Sequence, residues 1–276
     1  MKGFDYLLKN FFTHKDFIHD DVVAGLVPGT LFTPLHFIFS AIVLALVIVL
    51  AVWVGKKASK KTIKTVFTVV WIIAVVWEVV KIAWESLSGK TVSFEVGGVL
   101  PLYPCSVFMY AMPFAMWGKG KVRYSACGYV CTIGLIGAAV NFFYPATILP
   151  NYSCLSFAGF HTFFYHGTMM FCCIVMLLSG YHRYNRVKTW WQPFLAAIPL
   201  LILSIPANIV NYSPINADYM FFKCHIDPFK TILGGLDDWL TTVLFYVAYT
   251  IIPAAFYFPS YISQKIKLSK NTADKI

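Results

Sequence analysis

Seven apolar segments dominate the chain and restrict it to a membrane fold. We place them at 31–54, 63–84, 99–117, 124–145, 156–180, 190–212 and 238–262. Most approach the ~20 residues that an α-helix needs to cross a bilayer. Hydrophobic residues make up 59% of the sequence and charged residues only 12%, about half the charged fraction of a soluble domain. The sequence therefore predicts an all-α, multi-pass membrane protein built as a bundle of seven transmembrane helices.

Basic residues are unevenly distributed among the connections, and their distribution predicts the orientation. Lys and Arg are frequent after the first, third, fifth and seventh segments and scarce after the second, fourth and sixth. The positive-inside rule then places the C-terminus in the cytoplasm and the N-terminus outside. Because the net charge of +10 falls mostly in these loops and tails, it does not indicate nucleic-acid binding.

The chain divides into three parts. Residues 1–30 mix aromatic residues with Lys and Asp, which is typical of a helix lying in the membrane interface or of a flexible segment. Residues 31–262 form the transmembrane domain, and residues 263–276 form a basic cytoplasmic tail. Cys154 and Cys224 both fall in outer connections, and on that ground alone we predict a disulfide between them.

The third segment begins with a break. Pro101 and Pro104 lie within its first turns, and Cys105 follows directly. Pro104 removes a backbone donor and obstructs the preceding turn, so a helix here is predicted to be kinked or to begin late. The freed carbonyls must find partners inside the protein, because lipid offers none. Such a break is typical of a segment that lines a cavity.

Polar side chains within the segments are concentrated in the outer half of the predicted bundle. Such residues are costly in a membrane and are candidates for function. We infer a polar cavity that opens toward the outer leaflet or the extracytoplasmic space. The residues are His36, Glu78, Lys81, Cys105, Asn141, His161, His166, Asn208, Asn211, Asp237 and Asp238.

Two pairs in this set need separate interpretation. Glu78 and Lys81 are three residues apart and can pair on one helix face, either as a structural ion pair or as a wall of the cavity. His161 and His166 are five residues apart, so a regular helix does not point both at one spot. We favour His166 as the chemical group, because Gly167 follows it and leaves room for a neighbour.

Three functions compete on these residues alone. A histidine can take the proton of the Cys105 thiol and give a nucleophilic thiolate. Alternatively, His36, His161, His166 and an Asp could hold zinc in a seven-span hydrolase, although no pair of histidines stands at i, i+4. A third interpretation is a non-enzymatic transporter or small-ligand receptor, with Glu78 and Lys81 at the ligand.

Several short motifs occur in a fixed order. They are Phe32-Thr33-Pro34-Leu35-His36, then Leu100 to Ser106, then Phe163-Phe164-Tyr165-His166-Gly167, and finally Asn208 with Asp218 to Phe222. This pattern resembles the YwaF family of integral membrane proteins, to which the vertebrate transmembrane protein 164 acyltransferase is related. The resemblance covers about residues 30–262 and implies a multi-pass protein of the bacterial plasma membrane.

The resemblance also implies an activity. Members are expected to act on a membrane phospholipid or lysophospholipid through a cysteine and a histidine, which here match Cys105 and His166, without a cofactor. The expected activity is acyl transfer or lipid ester hydrolysis. The expected substrate-binding residues are His36, Glu78, Lys81, Tyr103, Asn141 and Asn208. Tyr103 stands where the family is expected to carry a polar His or Gln, which bears on substrate identity more than on the nucleophile.

Overall fold

The structure is a computed structural model, and all of its regular secondary structure is helical in the residues that it describes. These are residues 10–14, 17, 31–89, 100–145, 147–185, 190–210, 219–221 and 238–273. The helices are α1 (Pro34–Lys57), α2 (Lys60–Ser88), α3 (Val107–Trp117), α4 (Gly120–Cys131), α5 (Ile133–Phe143), α6 (Phe157–Leu178), α7 (Gln192–Leu195), α8 (Ile198–Val210) and α9 (Asp238–Ala273), with 3₁₀ turns at Pro104–Ser106 and Tyr219–Phe221.

Among the described residues, five stretches are long and apolar enough to cross a membrane. They are α1, α2, the nearly continuous Gly120–Phe143, α6, and Thr242–Gln264 within α9. This confirms an all-helical membrane protein, but it does not confirm seven spans. The third predicted segment gives only the 11-residue α3, because its first turns are broken at the prolines. The sixth gives only a short apolar helix, Ile198–Ile209.

Side-chain caps fix where three of the long helices begin. Thr33 caps α1 by accepting a hydrogen bond from the backbone of His36. Ser59 and Ser156 cap α2 and α6 in the same way. A capping oxygen satisfies one of the first backbone donors, which have no partner within the helix. The capping residues Ser59 and Ser156 therefore separate α2 and α6 from the connections before them.

Helix α6 is the centre of the bundle. It packs against α1, α2, α4 and α5, and most of its residues are buried. Gly159, near its start, lies so close to the preceding loop that a Cβ would sit 2.2 Å from the carbonyl oxygen of Ser153. The chain is thus organised around α6 rather than around the broken third segment, whose helix packs on α4 and α2 and contacts α6 through Tyr165.

The broken segment begins as predicted. The chain makes a 3₁₀ turn at Pro104–Ser106, and the α-helix starts only at Val107. Three carbonyls at the break accept hydrogen bonds from other parts of the chain, which agrees with the second part of the prediction. The Leu102 carbonyl accepts from the backbone of Met220, that of Pro104 from the Tyr129 hydroxyl, and that of Cys105 from the Tyr165 hydroxyl.

The basic connections come together at one end of the bundle. Lys60, Lys64, Arg123 and Arg183, which belong to the connections after the first, third and fifth segments, line a common cavity. The Gln264 side chain of α9 donates a hydrogen bond to the carbonyl of Asn185 at the same end. The connections after the first, third and fifth segments therefore lie at one end of the bundle, and the predicted orientation stays a prediction.

Candidate functional site

The site lies where α2, the 3₁₀ turn and the first half of α6 meet. Glu78 of α2 points at His161 of α6, with 2.9 Å between its carboxylate oxygen and Nε2. Both side chains are about nine-tenths buried. The predicted pairing of Glu78 with Lys81 is wrong: the Lys81 ammonium lies 3.0 Å from Glu85, one turn further along α2. A partner from another helix can reach Glu78 more directly than a residue three positions away on its own helix.

His166 is held by its own helix. Its Nδ1 lies 2.7 Å from the carbonyl oxygen of Thr162, so Nδ1 must carry the proton and donate it. In the neutral ring, Nε2 then carries the lone pair. That Nε2 is buried and has no hydrogen-bond partner among the described residues. An imidazole in this tautomer, with an unused lone pair, can accept a proton.

Cys105 is the middle residue of the 3₁₀ turn, and the residue as a whole is partly exposed. The thiol lies within electrostatic range of Glu78 and Lys81. The Tyr165 hydroxyl donates to the Cys105 carbonyl at 3.3 Å, and Tyr165 directly precedes His166. The turn that carries the predicted nucleophile thus contacts the helix that carries the predicted base, and their pairing stays a prediction. Nε2 of His166 and the thiol are not hydrogen-bonded to each other.

His36 and Asn208 have contacts of a structural kind. The His36 Nε2 lies 3.2 Å from the Phe142 carbonyl, while Nδ1 accepts from the backbone of Phe32. Both nitrogens of His36 are therefore engaged. The Asn208 amide both donates to the carbonyl and accepts from the backbone N–H of Tyr219, each at 2.9 Å. Their predicted contact with substrate stays a prediction.

Asn141 and Tyr103 flank the site. Asn141 of α5 accepts a hydrogen bond from the hydroxyl of Thr162 at 3.3 Å, one turn before His166. The ring of Tyr103 packs on that of Tyr219, with 5.3 Å between centroids. Both residues are thus close to groups that contact the site, and their role in substrate binding stays a prediction.

Some sequence predictions fall on parts of the chain outside the description. Asn211 and Asp237 lie outside the described residues, as does the side chain of Asp238. Cys224 lies outside them as well, so the predicted disulfide between Cys154 and Cys224 stays a prediction. Residues 90–99 and 211–218, which adjoin the site in sequence, are also outside the description, so the outer cavity stays a prediction.

Sequence reasoning missed the hydroxyls that surround the break. Tyr129 and Tyr165 hold two successive carbonyls of the turn, at Pro104 and Cys105. Tyr129 also shares a buried hydrogen bond with Tyr249 of α9. A signal existed: each tyrosine lies within an apolar segment, and a buried tyrosine hydroxyl usually has a hydrogen-bond partner.

The TMEM164 family matches residues 31–258, which is most of the chain. The chain belongs to the TMEM164 family. The match confirms the relation to transmembrane protein 164 that the ordered motifs indicated, although it does not carry the YwaF name. Neither a curated protein nor a solved structure matches the chain significantly.

Proposed function

We propose that this TMEM164-family protein is a membrane-embedded acyltransferase or lipid ester hydrolase that works through Cys105 and His166. The observation that carries the proposal is that a partly exposed cysteine in a broken helix contacts, through Tyr165, the helix whose His166 has an unused Nε2 lone pair. The first group can be a nucleophile and the second its base.

The reaction follows from these two groups. His166 Nε2 takes the thiol proton, and the thiolate attacks the ester carbonyl carbon of a phospholipid. The ester C–O bond breaks, the acyl group stays on Cys105 as a thioester, and the leaving alkoxide takes the proton from His166. A lysophospholipid or water then gives its proton to His166 and attacks the thioester. Its oxygen receives the acyl chain, and the thiol is restored.

Charge develops on the substrate oxygen during each attack, and a positive group nearby would stabilise it. Lys81 is one candidate for this role, because its charge lies within electrostatic range of Cys105, although it also pairs with Glu85. Asn208 is not favoured, since its amide oxygen and nitrogen are both bonded to Tyr219. Asn141 uses its carbonyl oxygen on Thr162, which leaves its amide nitrogen as a second candidate.

An apolar groove near the base suits an acyl chain. It has a volume of about 350 Å³ and lies between α1, α2 and α6. Gly167, the residue after His166, forms part of its wall, where the Val47 side chain comes close enough to lie 3.1 Å from an added Cβ. We propose that the fatty chain of the substrate occupies this groove while its ester reaches Cys105.

The membrane arrangement belongs to the same proposal. Seven crossings, with the third and sixth made by the shorter helices, would place the four basic connections in the cytoplasm. The N-terminus would then lie outside, and the site would face the outer leaflet of a bacterial plasma membrane. Cysteine-accessibility labelling in intact cells tests this: Lys60→Cys and Lys121→Cys should be protected from an impermeant reagent, and Gly97→Cys should react.

The zinc and transport interpretations gain no support. Among the described residues, no group of three or more His, Cys, Asp or Glu is arranged to hold a metal ion. The transport interpretation placed a ligand between Glu78 and Lys81, but each of these has another partner, His161 and Glu85 respectively.

The decisive experiment detects the covalent intermediate. Purified protein is incubated with phospholipid, and its intact mass is measured before and after hydroxylamine. We expect a hydroxylamine-sensitive acyl adduct on wild type and on Cys127→Ala, which removes a buried thiol elsewhere. Cys105→Ala and His166→Gln should give no adduct and no turnover, and Cys105→Ser should be far weaker than wild type. Turnover by Cys105→Ala, or an adduct that persists in it, would refute the mechanism.

A further inference from the structure

A second polar feature lies at the opposite end of the bundle from Cys105. It is a cavity of about 670 Å³ between the start of α2, the end of α3, the start of α4 and the chain after α6. Four of its lining side chains are cationic, namely Lys60, Lys64, Arg123 and Arg183. None of the described residues that line it is Asp or Glu. The cavity therefore concentrates positive charge that its own walls do not neutralise.

Two of the cations are positioned by their neighbours. The guanidinium carbon of Arg123 lies 4.3 Å from the centroid of the Tyr181 ring, a stacking arrangement that favours one orientation of the planar group. The guanidinium of Arg183 packs over Gly180, where a Cβ would lie 3.1 Å from Nη2. Gly180 has a φ of +68°, which a residue without Cβ adopts readily. The turn thus leaves room for Arg183.

A buried histidine completes the wall. His182 is 3% exposed, and its Nε2 has no hydrogen-bond partner among the described residues. Burial and the charge of Arg123 lower the pKa of His182 to about 4, so its imidazole is neutral at pH 7. An unsatisfied buried polar atom is costly, and a ligand in the cavity is one way to satisfy it.

We propose that this cavity binds an anion that carries phosphoryl groups. Arginine forks match phosphate oxygens, and lysines add point charge. The volume falls within the range of small-molecule sites and exceeds what a single phosphate needs. Phosphoryl groups reach this end of the protein either as soluble phosphates or as the head groups of anionic lipids. The proposal does not depend on the chemistry of Cys105.

The test uses the full chain in nanodiscs of neutral phosphatidylcholine. One arm titrates pyrophosphate at constant ionic strength, and the other replaces part of the lipid with anionic phosphatidylglycerol. The readout in both is the midpoint of thermal unfolding, which rises when a ligand binds the folded state. We expect stabilisation in at least one arm. Stabilisation by pyrophosphate alone would identify a soluble phosphate as the ligand. Stabilisation by phosphatidylglycerol alone would identify a lipid head group.

Matched variants decide whether the cavity is responsible. Lys64→Gln and Arg123→Gln should each weaken binding about tenfold, the effect of losing one charge-assisted hydrogen bond. Lys61→Gln and Lys121→Gln remove exposed charges from the same segments without touching the cavity, and they should bind like wild type. Arg123→Gln could unfold because it loses its stack on Tyr181. Lys64 is exposed, so Lys64→Gln should still fold, and its binding then tests the cavity by itself. Absence of stabilisation in both arms, or equal loss in the control variants, would overturn the proposal.

Discussion

The buried contact between Glu78 and His161 allows a quantitative test of the α2–α6 interface. The two side chains are only 11% and 10% exposed, and their atoms are 2.9 Å apart. A hydrogen bond to a charged group contributes about 1.5–3 kcal/mol, while removing one member of a buried pair costs about 3–5 kcal/mol. We therefore expect Glu78→Ala to lower the free energy of unfolding by about 3 kcal/mol.

A double-mutant cycle separates the contact from the effects of each truncation. Unfolding is measured in nanodiscs for wild type, Glu78→Ala, His161→Ala and the double variant, and we expect a coupling energy of at least about 1.5 kcal/mol. The control cycle removes Lys81 and Glu85, which are 16% and 24% exposed and pair within one helix. Its coupling should be about 0.3–1 kcal/mol. A Glu78–His161 coupling below about 0.5 kcal/mol, or one equal to the control, would refute this account.

Three further predictions concern the frame around the site. Gly159→Ala should destabilise the folded protein by at least about 2 kcal/mol, because the added Cβ would lie 2.2 Å from the Ser153 carbonyl oxygen. In the control variant Gly137→Ala the added Cβ meets open space, so thermal unfolding should show no change or a slight stabilisation. Asn208→Ala should cost about 2 kcal/mol by losing two hydrogen bonds to Tyr219, whereas Ile209→Ala, at a side chain that is 69% exposed, should cost much less. The lowered pKa of His182, about 4, means that the unfolded chain binds the proton first as pH falls. The free energy of unfolding of the wild type should then fall by up to about 3 kcal/mol between pH 6.5 and 4. A His182→Gln variant whose stability depends on pH in the same way as that of the wild type would contradict this.

The break at Pro104 could be predicted because its cause is local. A proline ring obstructs the turn before it wherever the chain goes, and the sequence alone required the freed carbonyls to find internal partners. The identity of those partners could not be predicted, since Tyr129, Tyr165 and Met220 come from distant parts of the chain. Only the packing of α4 and α6 and the position of the Tyr219–Phe221 turn bring them to the 3₁₀ turn.

The pairing of Glu78 was mispredicted for a related reason. Spacing within α2 shows which residues of that helix can meet, but it says nothing of what a neighbouring helix presents. Glu85, four residues after Lys81, was a visible competitor in the sequence, because i, i+4 pairs are at least as favourable as i, i+3 pairs. Because Lys81 pairs with Glu85, Glu78 pairs with His161 instead. Glu78 therefore contributes to the contact between α2 and α6 and not to an ion pair within α2.

The geometry also indicates which part of the proposed site has to move. His166 is bonded through Nδ1 to its own helix, and α6 is packed on several sides, so its Nε2 is fixed in place. Catalytic hydrogen bonds are often loose without substrate and tighten in the complex. The thiol belongs to a single 3₁₀ turn, which is a weaker element than a packed α-helix. In the proposed mechanism, therefore, the approach of thiol and imidazole comes from the Cys105 side. The hydroxyls of Tyr129 and Tyr165, which hold the carbonyls of that turn, set how far Cys105 can travel.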